Sequence, residues 1–193
     1  MPKLGMEPIR RNALVNATID EIGRVGSLDV TVSQIAKRAG MSSALAHHYF
    51  GGKNQIFNAA MRHILKQYSE QVRSQLAGET TAHGRLRAII RASFGADNFS
   101  SEVISAWMNF YVKSQTDHGA RRLLDIYQRR LHSNLMHDLR PLLGLKQANT
   151  AASTIGAMID GLYIRHALRN QIPDAKAAEH QVINYLDQIL DRK

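Results

Sequence analysis

Residues 31–53, TVSQIAKRAGMSSALAHHYFGGK, constrain the fold more than any other stretch. Thr31 can cap a helix, and Gln34 three residues later completes a capping box. Val32, Ile35, Ala36 and Ala39 then share one face at helical spacing. Gly40 ends that helix, because glycine accepts the left-handed conformation that a tight exit requires. Ser42 caps a second, very short helix. Two helices joined by a short glycine-containing turn predict a helix-turn-helix, whose second helix enters the major groove of DNA.

The second helix has the composition for that role. Ser43, Ala44, Ala46 and His47 are small or polar, so the backbone can approach base edges, with His48 beside them and Leu45 expected as the anchor to the core. Tyr49 and Lys53 place a hydroxyl and an ammonium where phosphates pass, contacts that set register but carry no sequence information. The DNA-reading set is therefore Thr31, Gln34, Ser42, Ser43, Ala44, His47, His48, Tyr49 and Lys53. A helical hairpin inside an ordinary all-helical protein has the same bare pattern.

A first helix precedes this unit. It is expected to begin at Pro8 and to present Ile9, Leu14, Ala17, Ile22 and Val25 as a stripe up to Gly26. Lys3, Arg10 and Arg11 at its start can reach a phosphate or sit in solvent. After Gly51 and Gly52 a long amphipathic helix carries Ile56, Ala60, Ile64, Tyr68, Val72 and Leu76. Running from the first unit into the second, it is the expected lever between them. Residues 78–84 read as a polar loop, and more helices follow, one of them expected to stop at Pro141. No strand shows sustained alternation, so the fold class is all-α. The expected division is a three-helix DNA-binding domain over residues 1–52 and a helical effector-binding and dimerisation domain over residues 53–193.

Composition narrows the function classes. The 193 residues include no cysteine, which excludes disulfides and thiolate metal sites and suits a reducing cytoplasm. The start lacks the apolar segment of a signal peptide, and no apolar run approaches a membrane span. The net charge of +9 invites a polyanion, but the excess is spread along the chain, and the Arg121, Arg122, Arg129 and Arg130 cluster reads as a solvated face. No nucleophile–base pairing, paired acids or phosphate loop supports an enzyme. No metal or cofactor site stands out.

A small-molecule site has clearer candidates. Trp107 and Tyr111 stand one turn apart, with Phe110 beside them, and Asp160 and Tyr163 share a face of a later helix. Aromatic walls with one carboxylate are what a quaternary ammonium needs, since it cannot donate an N–H bond. The same residues at helical spacing also describe an ordinary core. The last two helices, with Gly156 and Gly161, offer an apolar surface that a second copy can cover as a four-helix bundle.

These residues also carry a resemblance. Ile35, Ala36, Ala39, Gly40, Ser42, His48, Tyr49, Phe50 and Lys53 resemble the DNA-binding domain of the TetR repressor family. Residues 1–11 (MPKLGMEPIRR), 43–51 (SALAHHYFG), 106–111 (AWMNFY), 129–135 (RRLHSNL) and 158–165 (MIDGLYIR) resemble its BetI branch, the choline-responsive repressors of glycine betaine synthesis. Ala44 and His47 stand where many TetR relatives have Gly and Tyr, and Tyr111 and Tyr163 where some BetI proteins have Trp. The resemblance implies a cytoplasmic homodimer that binds double-stranded operator DNA ahead of choline uptake and betaine synthesis genes and is relieved by choline. A TetR-type repressor for another small ligand is the alternative.

Overall fold

The capping signals of the sequence are realised as hydrogen bonds in the computed structural model, which describes residues 6–169 and 171–191. Among these residues the backbone forms nine helices and no strand. They are α1 (Met6–Val25), α2 (Val32–Arg38), α3 (Ser43–Phe50), α4 (Lys53–Leu76), α5 (Ala82–Ser93), α6 (Ser101–Lys113), α7 (His118–Leu143), α8 (Leu145–Ala167) and α9 (Ala175–Leu190). At α2 the Gln34 amide donates to Thr31 Oγ1 (3.1 Å) while the Thr31 amide donates to Gln34 Oε1 (2.7 Å), a complete capping box. At α3 the Leu45 amide donates to Ser42 Oγ. Gly40 adopts φ +67° between them. Lys3 and the rest of residues 1–5 lie outside the described residues.

Three expected boundaries move. Helix α1 already includes Met6, and its Ile9 is exposed rather than packed. The loop after α4 is shorter than its composition suggests, because Thr81 caps α5 and Gly84 lies inside that helix. Pro141 does not stop α7. It sits in the last turn, where few residues remain to be distorted, and α7 runs on to Leu143 before Gly144 ends it.

The helix-turn-helix packs on α1 and on the first turns of α4. Leu14 and Ile22 of α1, Ile35 and Ala36 of α2, Ala46 of α3 and Ile56 of α4 are all buried. Ala46, not Leu45, is the α3 residue that reaches this core. On so short a helix, a small side chain lets the backbone come close to its support, and Tyr49 and Phe50 pack beside it half-buried. The remaining helices build the larger body. Helix α7 lies along α8, α5 sits between α4, α7 and α9, and α6 touches α1, α4 and α8.

A buried carboxylate fixes the helix-turn-helix to α1. Glu21 pairs with Arg24 on its own helix and with Arg38 of α2 (2.5 Å). These guanidinium hydrogen bonds hold its carboxyl at about 2, below the ordinary 4.5. Depression of an acid group favours folding above its unfolded value and loses that contribution as pH falls through the folded value. The expected result is a loss of thermal stability from about pH 5 downward, with Glu21→Gln flattening that limb in pH-resolved melting curves.

Candidate DNA-reading face and effector cage

Helix α3 exposes the side chains that its composition singled out. Ala44, His47, His48 and Lys53 are exposed, as are Thr31, Gln34 and Ser42, while Ser43 and Tyr49 are half-buried. Thr31, Gln34 and Ser42 spend polar atoms on capping, which fixes the ends of α2 and α3. His47 Nδ1 lies 3.0 Å from the Gly51 carbonyl. A carbonyl only accepts, so Nδ1 carries the hydrogen. Arg11 is ion-paired with Glu7 (2.8 Å), and its guanidinium stacks over Tyr49 (5.5 Å) and Phe50 (5.2 Å). That stacking steadies α3 against α1, a role different from the free phosphate-reaching arm considered from sequence.

The second candidate site lies where α4, α5, α6, α7 and α8 meet. Trp107 stacks near Tyr127 (4.8 Å between ring centroids) and Tyr111 (5.6 Å), with Tyr163 at 6.1 Å. Tyr111 Oη donates to Asp160 Oδ1 (2.9 Å) and Tyr127 Oη donates to the same oxygen (3.2 Å). Burial, then the Asp160 charge, pushes both phenols far above their usual value, so both remain donors. Burial raises the Asp160 carboxyl, against the lowering effect of the two tyrosine bonds. The hydrogen bonds that Asp160 accepts come from Tyr111 and Tyr127, and Arg165 is exposed. The result is a carboxylate held by two neutral donors, Tyr111 and Tyr127, whose rings line the cavity in front of it.

The cage differs from its sequence outline in three places. Phe110 is fully buried and meets only the edge of Trp107, so it is core behind the cage. Tyr163 does not face Asp160. Its hydroxyl donates to the carbonyls of Ser93 (2.6 Å) and Asn98 (3.0 Å), which fixes the ring as a wall. Tyr68 and Tyr127, with Ser93 and Asn98, complete the lining. Sequence reading missed the two tyrosines because each sits in the apolar stripe of a long helix, where a tyrosine reads as core. The enclosed volume is about 10 Å³, so a ligand enters only as the rings separate.

Helix α6 joins the two regions. Its Trp107 and Tyr111 face the cage, while Ser105, Asn109 and Lys113, spaced four residues apart, bond to α1, to the turn after it and to the first turn of α4. Ser105 Oγ donates to the Ile22 carbonyl (3.4 Å), Asn109 Nδ2 to the Gly26 carbonyl (3.4 Å) and Lys113 Nζ to Asn54 Oδ1 (2.9 Å). Gly23 makes this contact close, since a Cβ there would lie 2.7 Å from the Glu102 Cα. Helices α4 and α6 thus both connect the regions.

This arrangement defines a helix-turn-helix protein whose reading helix is carried on a larger helical body. Comparison with known proteins places it more closely. The pattern of "Bacterial regulatory proteins, tetR family" matches residues 14–60, and that of "BetI-type transcriptional repressor, C-terminal" matches residues 82–191. The chain is 51% identical over 186 residues to the HTH-type transcriptional regulator BetI of Brucella suis, covering 96% of this chain and 94% of the relative. It is 46% identical to the BetI of Agrobacterium fabrum over 187 residues, 97% of this chain and 91% of that one. Among solved structures, a transcriptional regulator from Rhodococcus sp. superimposes with a TM-score of 0.82 at 22% identity, over 94% of this chain and 96% of that one. A regulator from Saccharomonospora viridis, solved in complex with choline, gives 0.79 at 21% identity, over 92% and 95%. The chain belongs to the TetR family of transcriptional regulators, with a BetI-type C-terminal domain. It is a regulator and not an enzyme.

Proposed function

We propose that this chain is a homodimeric repressor of choline uptake and glycine betaine synthesis genes, and that choline relieves the repression. Residues 1–52 read the operator through α3, and residues 53–193 hold the effector and the second copy through α8 and α9. The observation that carries the effector reading is the Asp160 carboxylate, held by Tyr111 and Tyr127, which line one cavity with Trp107, Tyr68 and Tyr163. A quaternary ammonium gains ring-face attraction and one anion there without needing an acceptor for an N–H. The choline-bound regulator of the same fold and the BetI relatives agree with this reading.

Release requires that choline bind the DNA-incompetent conformation more tightly than the DNA-competent one. Choline must part the rings to enter, and that parting displaces α6 and α7. Movement of α6 reaches α1 through Ser105 and Asn109, and α4 through Lys113. Both routes lead to the spacing of the two reading helices in the dimer.

The test is fluorescence anisotropy of operator DNA from upstream of the gene, with and without millimolar choline. Tight binding weakened by choline, but not by equal sodium chloride, is the expected result. Binding indifferent to choline keeps the regulator and discards the effector. In the same assay Lys53→Ala is expected to weaken binding to all sequences alike and to lower the salt slope by about one.

Asp160 gives the cage a pH dependence. Choline needs the ionised carboxylate, and burial raises the Asp160 value, so protonation reaches this site before an ordinary aspartate. Choline affinity is expected to fall as pH is lowered, and to begin falling above the range in which an ordinary aspartate protonates. Asp160→Asn is expected to bind choline about tenfold or more weakly and without that slope, as calorimetric titration at each pH would show.

A further inference from the structure

A second cavity adjoins the cage and has different chemistry. It is a groove of about 480 Å³ between α4 and α7, within the range of about 300–1,000 Å³ usual for small-molecule sites. Leu65, Val72 and Leu76 of α4 and Ile126 of α7 give it an apolar surface, and no acidic side chain lines it. Arg73 on α4 and Arg130 on α7 stand on its opposite walls, both exposed. Arg73 gives its Nε hydrogen to the Ser69 carbonyl of its own helix (3.2 Å), which orients the guanidinium without using its terminal nitrogens. The inner wall is formed by Tyr68 and Tyr127, which also line the cage.

We propose that this groove binds a free amphipathic carboxylate with a linear alkyl chain. The chain lies on the apolar α4 face and the carboxylate bridges Arg73 and Arg130. Charge decides the class. Two guanidinium groups repel choline and other cations from the groove, whereas a carboxylate meets donors of matching geometry on both sides. The alkyl chain removes from water a helical stripe that the chain itself leaves partly uncovered. The occupant rests on Tyr68 and Tyr127, so it touches the same rings that must part for an effector. The groove is a site for an anion beside a site for a cation, and it stands whether or not choline is the effector.

Calorimetric titration of the full chain with octanoate, octyl glucoside and acetate, each below its micellar concentration, tests this. The expected result is one octanoate per chain, bound about tenfold or more tightly than octyl glucoside, with acetate undetectable. Arg73→Ala with Arg130→Ala is expected to cost octanoate about tenfold or more while leaving octyl glucoside unchanged. Ser69→Phe, which fills the groove, is expected to abolish both. Trp107→Phe, which changes no side chain lining the groove, is expected to bind octanoate as before. Equal affinity for octanoate and octyl glucoside, or no change in the double arginine variant, overturns the proposal. Loss in Trp107→Phe with retention in Ser69→Phe also overturns it, since octanoate would then sit in the cage. Octanoate binding as expected in a native chain whose operator binding ignores choline counts against the effector reading alone. Both arginines are exposed, so melting temperatures of the variants should match the native protein and exclude misfolding as the cause.

Discussion

Trp107→Ala is expected to abolish the choline response while leaving operator affinity within about threefold, since the ring supplies cation–π attraction and touches no part of the reading face. Trp107 is buried and packs against Tyr111, Tyr127, Phe110 and Tyr163, so its removal opens a hole in the cage. Truncation of a buried Trp costs about 3–5 kcal/mol of stability, enough to compromise folding on its own. Trp107→Phe separates the two effects. It keeps a ring in the wall with a weaker quadrupole, and choline affinity should fall by the 0.5–2 kcal/mol, roughly two- to thirtyfold, typical of such contacts. Operator titrations at rising choline measure both variants. A normal choline response in Trp107→Ala would remove Trp107 from the effector site.

Gly23→Ala is expected to have the largest effect on the joint between the two regions. The new Cβ would lie 2.7 Å from the Glu102 Cα and 2.8 Å from its Cβ. The obstacle includes backbone, which no rotamer change relieves, so α1 and α6 must move apart. Overpacking of this kind costs about 1–3 kcal/mol. For a chain of this size that is a drop of several degrees in melting temperature, at about 2–4 °C per kcal/mol. Separation also lengthens the Ser105 and Asn109 bonds to α1, which are already 3.4 Å. The variant should therefore show a reduced choline effect on operator binding in addition to lower stability. A melting temperature equal to the native one would show that the contact relaxes without cost.

The DNA-reading unit was legible in sequence because its signals are local. The capping box of Thr31 and Gln34, the left-handed Gly40 and the Ser42 cap act between residues three to four apart. The cage was only half legible because its closure is not local. Trp107 and Tyr111 are one turn apart and could be read together. Tyr68 and Tyr127, from two other helices, enter only through tertiary packing. Spacing puts Tyr163 on the face of Asp160, yet its hydroxyl turns to two backbone carbonyls, one at the end of α5 and one in the loop after it, that no helical periodicity reveals. The α6 stripe of Ser105, Asn109 and Lys113 has regular spacing, but an amphipathic helix with a polar face reads as solvated until its neighbour is known.

Gly144 is at once the last cap of α7 and the first of α8, at φ +75° and ψ 167°. Few residues other than glycine occupy that region of backbone space. A joint of one residue leaves two torsions between helices of 26 and 23 residues. There is no slack to absorb a change in their angle, and the pair behaves as one stiff hairpin. Tyr127 rides on one arm and Asp160 on the other, so the bond between them closes a short mechanical loop with Gly144 at its vertex. Any force that parts these two side chains is transmitted along the arms as bending.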